Sequence, residues 1–242
     1  MIRPISNMTI FFMKSFKYET HLHTIEGSAC AVSKAVDYIE VYKRIGYSGI
    51  FVTNHFFGGN TCIPQNLPWN ERINMYCYGY DLAYEACKND CDFKVFFGIE
   101  QTFDGDDYSI FGLDKNWLLS HPEIEFMNHQ EVFAAVNEVN GLMIQAHPFR
   151  LRNYIQAVHL HPREVHAVEI YNGGNKAEEN ELAALYAKNF HFPCTSGTDI
   201  HNANLVLENP GIIGGVEFDS PLEDVFDFAT RVKSNNVRIV KN

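Results

Sequence analysis

Apolar residues along this chain gather into short runs, each closed by a polar residue, and the runs alternate with longer stretches of helical period. Strand-like runs occupy residues 16–23, 49–55, 93–103, 108–113, 141–147, 167–171, 193–196 and 212–218. Helical patterns fill most of the gaps, at 33–45, 71–88, 130–140, 178–189 and 222–234. In the first of them Ser33 stands where an N-cap belongs, Val36, Ile39, Glu40 and Lys43 keep the helical period, and Gly46 supplies a stop. Strands alternating with helices predict an α/β domain on a largely parallel sheet. The alternation suits a closed barrel and an open doubly wound sheet equally. Residues 58–68 interrupt the series as a turn-rich insertion.

The residues that close these runs carry the chemistry. His21-Leu22-His23 sits near the start and Asp199-Ile200-His201 near the end. Side chains at i and i+2 of an extended strand point to the same side, so both members of each pair can approach one ion. His55 closes residues 49–54, Glu100 closes 95–99 and His147 closes 142–146. In an α/β barrel the loops that follow the strands converge on one face, where reacting groups collect. A metal site with several ligands at one end of a barrel accounts for all of them.

Composition narrows the setting. At 242 residues, 46% of them hydrophobic, the chain is long for one ordinary domain and normal for a single α/β barrel. We read residues 14–242 as that domain and 1–13 as a leader, and Met13-Lys14-Ser15 would open the chain equally well. The apolar stretch 9–13 is too short for a signal segment or a membrane span, so no membrane partner is expected. A formal net charge of −11 repels a phosphate backbone, which argues against nucleic acid as a partner except as a short oligonucleotide substrate. The six cysteines, at 30, 62, 77, 87, 91 and 194, lack the paired spacing of a zinc ribbon. They read as reduced thiols of a cytoplasmic protein, filling small apolar positions. The pattern leaves the oligomeric state open.

In chain order, His21-Leu22-His23-Thr24, Thr53-Asn54-His55, Gly98-Ile99-Glu100, Ala146-His147-Pro148 and Gly197-Thr198-Asp199-Ile200-His201 resemble the motifs of the polymerase and histidinol phosphatase (PHP) superfamily. The match runs from about residue 16 to residue 201 and keeps both order and spacing. It implies a distorted (βα)7 TIM-like barrel in a single domain, two or three divalent metal ions (Zn, Mn or Fe) at the C-terminal strand ends, and hydrolysis of a phosphoric ester. Carried over by residue, it implies that His21, His23, Glu100 and Asp199 hold one ion. Glu100 would bridge to a second ion that His147 also ligates, and His55 with His201 would bind a third. A carboxylate suits the bridge because its two oxygens serve two cations, whereas imidazole offers one usable lone pair. Mixed nitrogen and oxygen ligation suits Zn, Mn or Fe better than Mg or Ca.

The chain departs from the family pattern in three places. Members often carry a His or Asp several residues after the first pair, where Gly27, Ser28 and Ala29 stand here, so Glu26, the nearest carboxylate, is assigned to the third ion. Asn54 replaces the usual Asp before His55. The stretch 107–111 lacks the His that completes the second ion elsewhere, leaving His121 and His129 as distant substitutes. His159-Leu160-His161 repeats the paired spelling without closing an apolar strand and reads as a solvated turn. His166 and His191 read as ordinary surface or helix-end histidines.

The resemblance makes Asp199, His201 and Arg150 the residues expected to carry catalysis. Arg150 would grip phosphate through its planar fork, with a surface salt bridge as its competing role. Asn172 and Asn175 lie in the turn after another strand, where substrate contacts are made. Tyr18, Phe56, Phe57 and Trp69 would wall a leaving group, unless they simply pack the core. The expected activity is hydrolysis of a small phosphomonoester or nucleotide by a metal-bound hydroxide. A metal-binding regulatory or interaction module that has lost turnover would carry the same ligands.

Overall fold

β-Branched and aromatic runs become strands where each can lie against a neighbour and bury its side chains. They are β1 (Phe16–Glu19), β2 (Gly49–Val52), β3 (Lys94–Phe97), β4 (Ile99–Phe103), β5 (Asp106–Phe111), β6 (Leu142–Gln145), β7 (Ala167–Asn172), β8 (Cys194–Gly197), β9 (Gly214–Phe218) and β10 (Arg238–Lys241). Between them lie α1 (Asp37–Arg44), α2 (Trp69–Cys87), α3 (Lys115–Ser120), α4 (His129–Glu138), α5 (Ala177–Phe190), α6 (Leu205–Glu208) and α7 (Val225–Lys233). The computed structural model describes residues 15–153 and 155–241, so the leader assigned to 1–13 lies outside the described residues. No described helix is long and apolar enough to cross a membrane.

The strands pair into two five-stranded sheets, β10-β9-β1-β2-β3 and β4-β5-β6-β7-β8. The sheet is mixed rather than largely parallel. β1–β2, β2–β3, β6–β7 and β7–β8 are parallel, whereas β1–β9, β9–β10, β4–β5 and β5–β6 are antiparallel. The reason for one reversal is a tight turn: Asp104 and Gly105 carry φ of 52° and 91°, the two left-handed residues that a type I′ hairpin needs to fold β5 back on β4.

The expected closed (βα)7 barrel is likewise not one continuous ladder among the described residues. The run read as one strand over 93–103 breaks at Gly98, where a Cβ would sit 2.7 Å from the Phe111 ring and 3.0 Å from Thr53, and the chain passes there from one sheet to the other. Single bridges, His55 to Glu100 and Leu22 to Ile200, span the gap. On the far side β8 meets β9 and β10 through hydroxyls instead of ladder bonds. Ser196 Oγ donates to Val240 O at 2.8 Å and accepts from Gly215 N at 3.0 Å, and Thr198 Oγ1 accepts from Gly214 N at 2.9 Å.

α1 begins at Asp37, later than the Ser33 cap predicts, because the Ser33 hydroxyl is taken by the Ala203 N–H at 2.9 Å. Gly46 ends it as expected, with φ of +80°. An aromatic core fills the space between the sheets: Phe51 lies 4.7 Å from Phe96, 5.2 Å from Phe111 and 4.5 Å from Phe228 of α7, ring centre to ring centre. Tyr18, also in this core, stands a few residues before His21, as Phe51 does before His55 and Phe96 before Glu100. The strands are thus anchored just upstream of their polar ends, which holds those ends in place.

Candidate metal centre

His21 and His23 follow β1, His55 follows β2, Glu100 lies in β4, His147 follows β6, and Asp199 and His201 follow β8. Glu100, with no exposed surface, is the hub. Its Oε1 lies 2.8 Å from His21 Nε2 and 3.3 Å from His147 Nε2, and its Oε2 lies 2.7 Å from His55 Nδ1 and 3.4 Å from His23 Nε2. Asp199 Oδ1 is 3.1 Å from His23 Nε2 and 3.6 Å from His21 Nε2. The His55 and His201 rings stack against His23 at 4.3 and 4.4 Å. Three overlapping sets, His21-Glu100-His147, His21-His23-Asp199 and His23-His55-His201, each bring their ligand atoms within 4.8 Å of one another. His147 and Asp199 reach this cluster in left-handed backbone conformations, φ 30° and 56°, which cost on the order of 1–3 kcal/mol each in non-glycine residues and persist only where the surroundings enforce them.

Hydrogen bonds set the ring tautomers. His21 Nδ1 faces Glu169 Oε1 at 3.1 Å, and a carboxylate only accepts, so Nδ1 holds the proton. His23 Nδ1 faces Ser28 Oγ at 3.1 Å, and that hydroxyl gives its own proton to Asn54 Oδ1 at 3.0 Å. In the neutral tautomers both Nε2 atoms are lone pairs aimed at carboxylate oxygens. His21 Nε2, His23 Nε2, His55 Nδ1 and Glu100 Oε2 are buried with no hydrogen-bond partner. Acceptors facing acceptors in a dry site need a cation between them, and imidazole with carboxylate is the donor set of a borderline divalent ion.

Where no cation is bound, protons on His21 and His55 supply part of the positive charge that these acceptors need. Burial pushes His23 down to about 3, with the neighbouring His55 adding to the shift, so its ring is neutral and ready to ligate. Burial also opposes charge on His21, but Glu100, Glu169 and Asp199 outweigh it and hold that ring well above its ordinary value. Glu100 is held well below the carboxylate range, since His21, His55 and His23 overcome its burial. The cluster therefore keeps its carboxylates ionised and draws positive charge inward.

The other expected residues are placed as follows. Glu26 does not join the cluster: the turn at 24–28 carries it outward, where its Oε2 accepts from Ala35 N at 3.2 Å beside Gly79 of α2. Cys30 stands at the His55–His201 pair instead. Burial raises its pKa, but hydrogen bonds from His201 and His55 bring it down to about 6, so this thiol is not a small apolar filler. His121 stacks on Trp117 at 4.1 Å, and His129 lies in a separate cluster, so neither completes the second ion. Asp107 lies nearest that place, 3.9 Å from His147 Nε2. Asn54, in the position of the usual Asp, accepts from Thr24 N at 2.7 Å and supports Ser28 behind His23.

Arg150 is held inside the site. Its Nη1 lies 2.6 Å from Asp199 Oδ2, Nη2 donates to Asn172 Oδ1 at 2.7 Å and Nε to Asn175 Oδ1 at 2.8 Å. A cavity of about 540 Å³ opens beside the cluster, bordered by Cys30, Thr102, Asp107 and Arg150 together with exposed edges of the ligands. Phe56, Phe57 and Trp69 do not border it but pack around Tyr76 and Arg72, and Tyr18 is in the core.

Sequence reasoning missed two buried carboxylates. Glu169 accepts from His21 and also, through Oε2, from His147 N at 3.0 Å and Asn172 Nδ2 at 2.8 Å. Glu19 accepts from His21 N at 2.9 Å, Thr198 N at 2.9 Å and Tyr42 Oη at 2.7 Å, joining β1 to the end of β8. For Glu169 the signal was a charged residue inside an otherwise apolar strand run at 167–171, whereas Glu19, in the mixed run 16–23 beside Lys17, carried none.

The sequence matches no family model and no curated protein. Its fold does match solved structures. A two-domain protein from Bacteroides vulgatus, described as containing a predicted PHP-like metal-dependent phosphoesterase, superposes with a TM-score of 0.71 at 13% identity, over 95% of this chain and 65% of that one. This chain therefore spans just under two thirds of that protein's length. PsfC from Pseudomonas syringae superposes with a TM-score of 0.60 at 15% identity, over 95% of this chain and 93% of PsfC. The chain shares the fold of these two proteins, the first of them described as PHP-like.

Proposed function

With this shared, PHP-like fold as premise, we propose that this protein is a metal-dependent phosphoesterase acting on a small phosphomonoester or nucleotide. The observation that carries the reading is the set of buried ring nitrogens of His21, His23 and His55 and the Glu100 oxygen that converge on one another with no hydrogen-bond partner. Divalent ions bound there lower the pKa of water toward neutrality and offset charge on phosphoryl oxygens. His21, His23, Glu100 and Asp199 would hold the first ion. Glu100 would also help to hold the second, with His147 and Asp107. His55 and His201 would hold a third, with Cys30 replacing Glu26 beside them. Zinc fits this donor set, and manganese or iron fits the first two positions.

The remaining residues bind and orient. Glu169 and Ser28 fix the His21 and His23 tautomers, as orienting groups behind ligating imidazoles do. Arg150, whose three guanidinium nitrogens are engaged by Asp199, Asn172 and Asn175, borders the cavity and would set a fixed positive charge beside a dianionic phosphate. The cavity is large enough for a small ester or a nucleotide.

The test is to strip the protein of metal, reload it with zinc or manganese, and follow hydrolysis of a generic aryl phosphate. Asp199→Ala is expected to abolish turnover and to lower metal content, while His159→Ala, paired with Asp106 away from the cluster, changes neither. Stoichiometric metal binding with no turnover under any metal would overturn the enzymatic reading and leave a binding module.

A further inference from the structure

A second group of ligating side chains lies apart from the centre described above. His129 opens α4 and is 8% exposed, under the Tyr108 ring at 4.5 Å and the Phe103 ring at 5.4 Å. Neither of its ring nitrogens has a hydrogen-bond partner. His161 stacks on it at 4.0 Å with the planes 24° apart, so its ring packs inward from the exposed turn that the backbone makes between His161 and Glu164, where Glu164 N donates to His161 O at 3.2 Å. One oxygen of Glu164 faces both rings, 3.3 Å from His129 Nδ1 and 3.6 Å from His161 Nδ1. The three ligand atoms lie within 4.8 Å of one another.

Hydrogen bonding does not explain this arrangement. The separations are those of atoms that converge on a point between them, and an imidazole with two unmet nitrogens is costly in an apolar setting. The loop supplies a further reason. Between β6 and β7 the chain runs from 146 to 166 with no helix or strand among the described residues, unusually long for a connection in a compact domain unless something fixes it. His161 and Glu164 lie near its end, and His147 and Arg150 near its start.

We propose that His129, His161 and Glu164 form a separate structural site for a divalent cation of the zinc class, which fastens the 146–166 connection to the start of α4. Two imidazole nitrogens and one carboxylate oxygen provide three of the four ligands of tetrahedral zinc, and water completes the set on the half-exposed side formed by His161 and Glu164. Binding there closes the connection into a loop tied at its far end, which limits the freedom of the segment that carries His147 and Arg150. The site is independent of the proposed activity and of the ions at Glu100.

The experiment compares zinc content per chain, after dialysis against limiting free zinc, in the wild type and in His161→Ala and Glu164→Gln. Both changes are at partly exposed positions, so folding is not at risk as it would be at His129. The expected result is the loss of one zinc equivalent per chain in each variant. His21→Ala is run in parallel and loses metal from the other centre only, so that adding His161→Ala to it removes a further equivalent. Trypsin or a similar protease is expected to cut within 146–166 faster in His161→Ala than in the zinc-loaded wild type. Equal zinc content in the wild type and in both variants would overturn the proposal, whatever the catalytic assay shows.

Discussion

At the scale of single residues, the ligands that sequence revealed are those whose geometry is local. His21 and His23 are two apart on either side of the Leu22 bridge, so their common direction follows from the pleat, whereas Asp199, with the same spacing to His201, reaches the cluster from a left-handed backbone at φ 56°. Glu26 and Cys30 show the opposite case. Which of them meets His55 depends on the turn at 24–28, where Gly27 N and Ser28 N both donate to Thr24 O, and no spacing rule reports that rotation. Cys30→Ser tests the outcome. In cobalt-substituted protein the wild type is expected to show a thiolate-to-cobalt charge-transfer band that the serine variant lacks, and a band of equal strength in both would remove Cys30 from the ligand set. Glu169 was visible only as a charge in an apolar run, and its role comes from a partner 148 positions away in the chain. Glu169→Gln leaves the shape intact but weakens the acceptor that fixes the His21 tautomer. Metal affinity is expected to fall by roughly 10–100-fold, the usual loss for such an orienting carboxylate. A competition titration with a chromophoric chelator reads this, and unchanged affinity would assign Glu169 a packing role only.

At the scale of elements, strands and long helices were legible because burial imposes their periods, and the misses have physical causes. α3 and α6 are too short for a period to show, although Asp114 accepts from Trp117 N at 2.8 Å as a cap and the capping residue was there to read. β10 is an edge strand without a fully buried residue, so it has no apolar face to read. The Asp104-Gly105 pair is a hairpin signal that lies between two strand runs, at the left-handed φ values such a turn needs. A connection without regular structure, such as 146–166, leaves no pattern at all and is held by individual contacts. Glu179 of α5 is one of them, buried at 4% exposure and accepting from Leu151 N at 2.9 Å, Lys176 N at 2.9 Å and Arg152 Nη1 at 3.0 Å. Burial raises its pKa, but the Leu151 and Lys176 hydrogen bonds and the Arg152 charge outweigh that and hold it below its ordinary value. A carboxylate depressed in the folded state stabilises it above the unfolded pKa, and the contribution is lost as pH falls through the folded value. The wild type is therefore expected to lose stability below about pH 4.5 more steeply than Glu179→Gln, which has no proton to take up there. Parallel melting curves from pH 6 down to about pH 3 for the two proteins would contradict this linkage.

At the scale of the whole molecule, alternation of strands and helices predicted an α/β domain but not how its sheets meet. That depends on Gly98, on two single bridges and on the hydroxyls of Ser196 and Thr198, none of which has a periodic signature. The same seam explains why a metal would matter to the fold. His21, His23 and His55 belong to strand ends of one sheet, and Glu100, His147, Asp199 and His201 to strand ends of the other. A cation shared by the two groups joins sheets that the backbone joins only weakly, and it neutralises Glu100 and Asp199, two carboxylates that one sheet presents to the imidazoles of the other. Stabilisation by a ligand that binds only the folded state is about 2.7 kcal/mol when its free concentration is roughly 100 times Kd. For a chain of this size each kcal/mol moves Tm by about 2–4 °C, so the expected rise is about 5–11 °C. The measurement belongs in Glu164→Gln, where the separate site on α4 is disabled and any shift comes from the Glu100 cluster. Adding Glu100→Gln to that variant is expected to remove most of the rise, because the bridging carboxylate touches ligands from both sheets. A Tm that zinc and manganese leave unchanged in Glu164→Gln would mean that the lone pairs at the seam meet no cation, and the ligand assignment would fall with it.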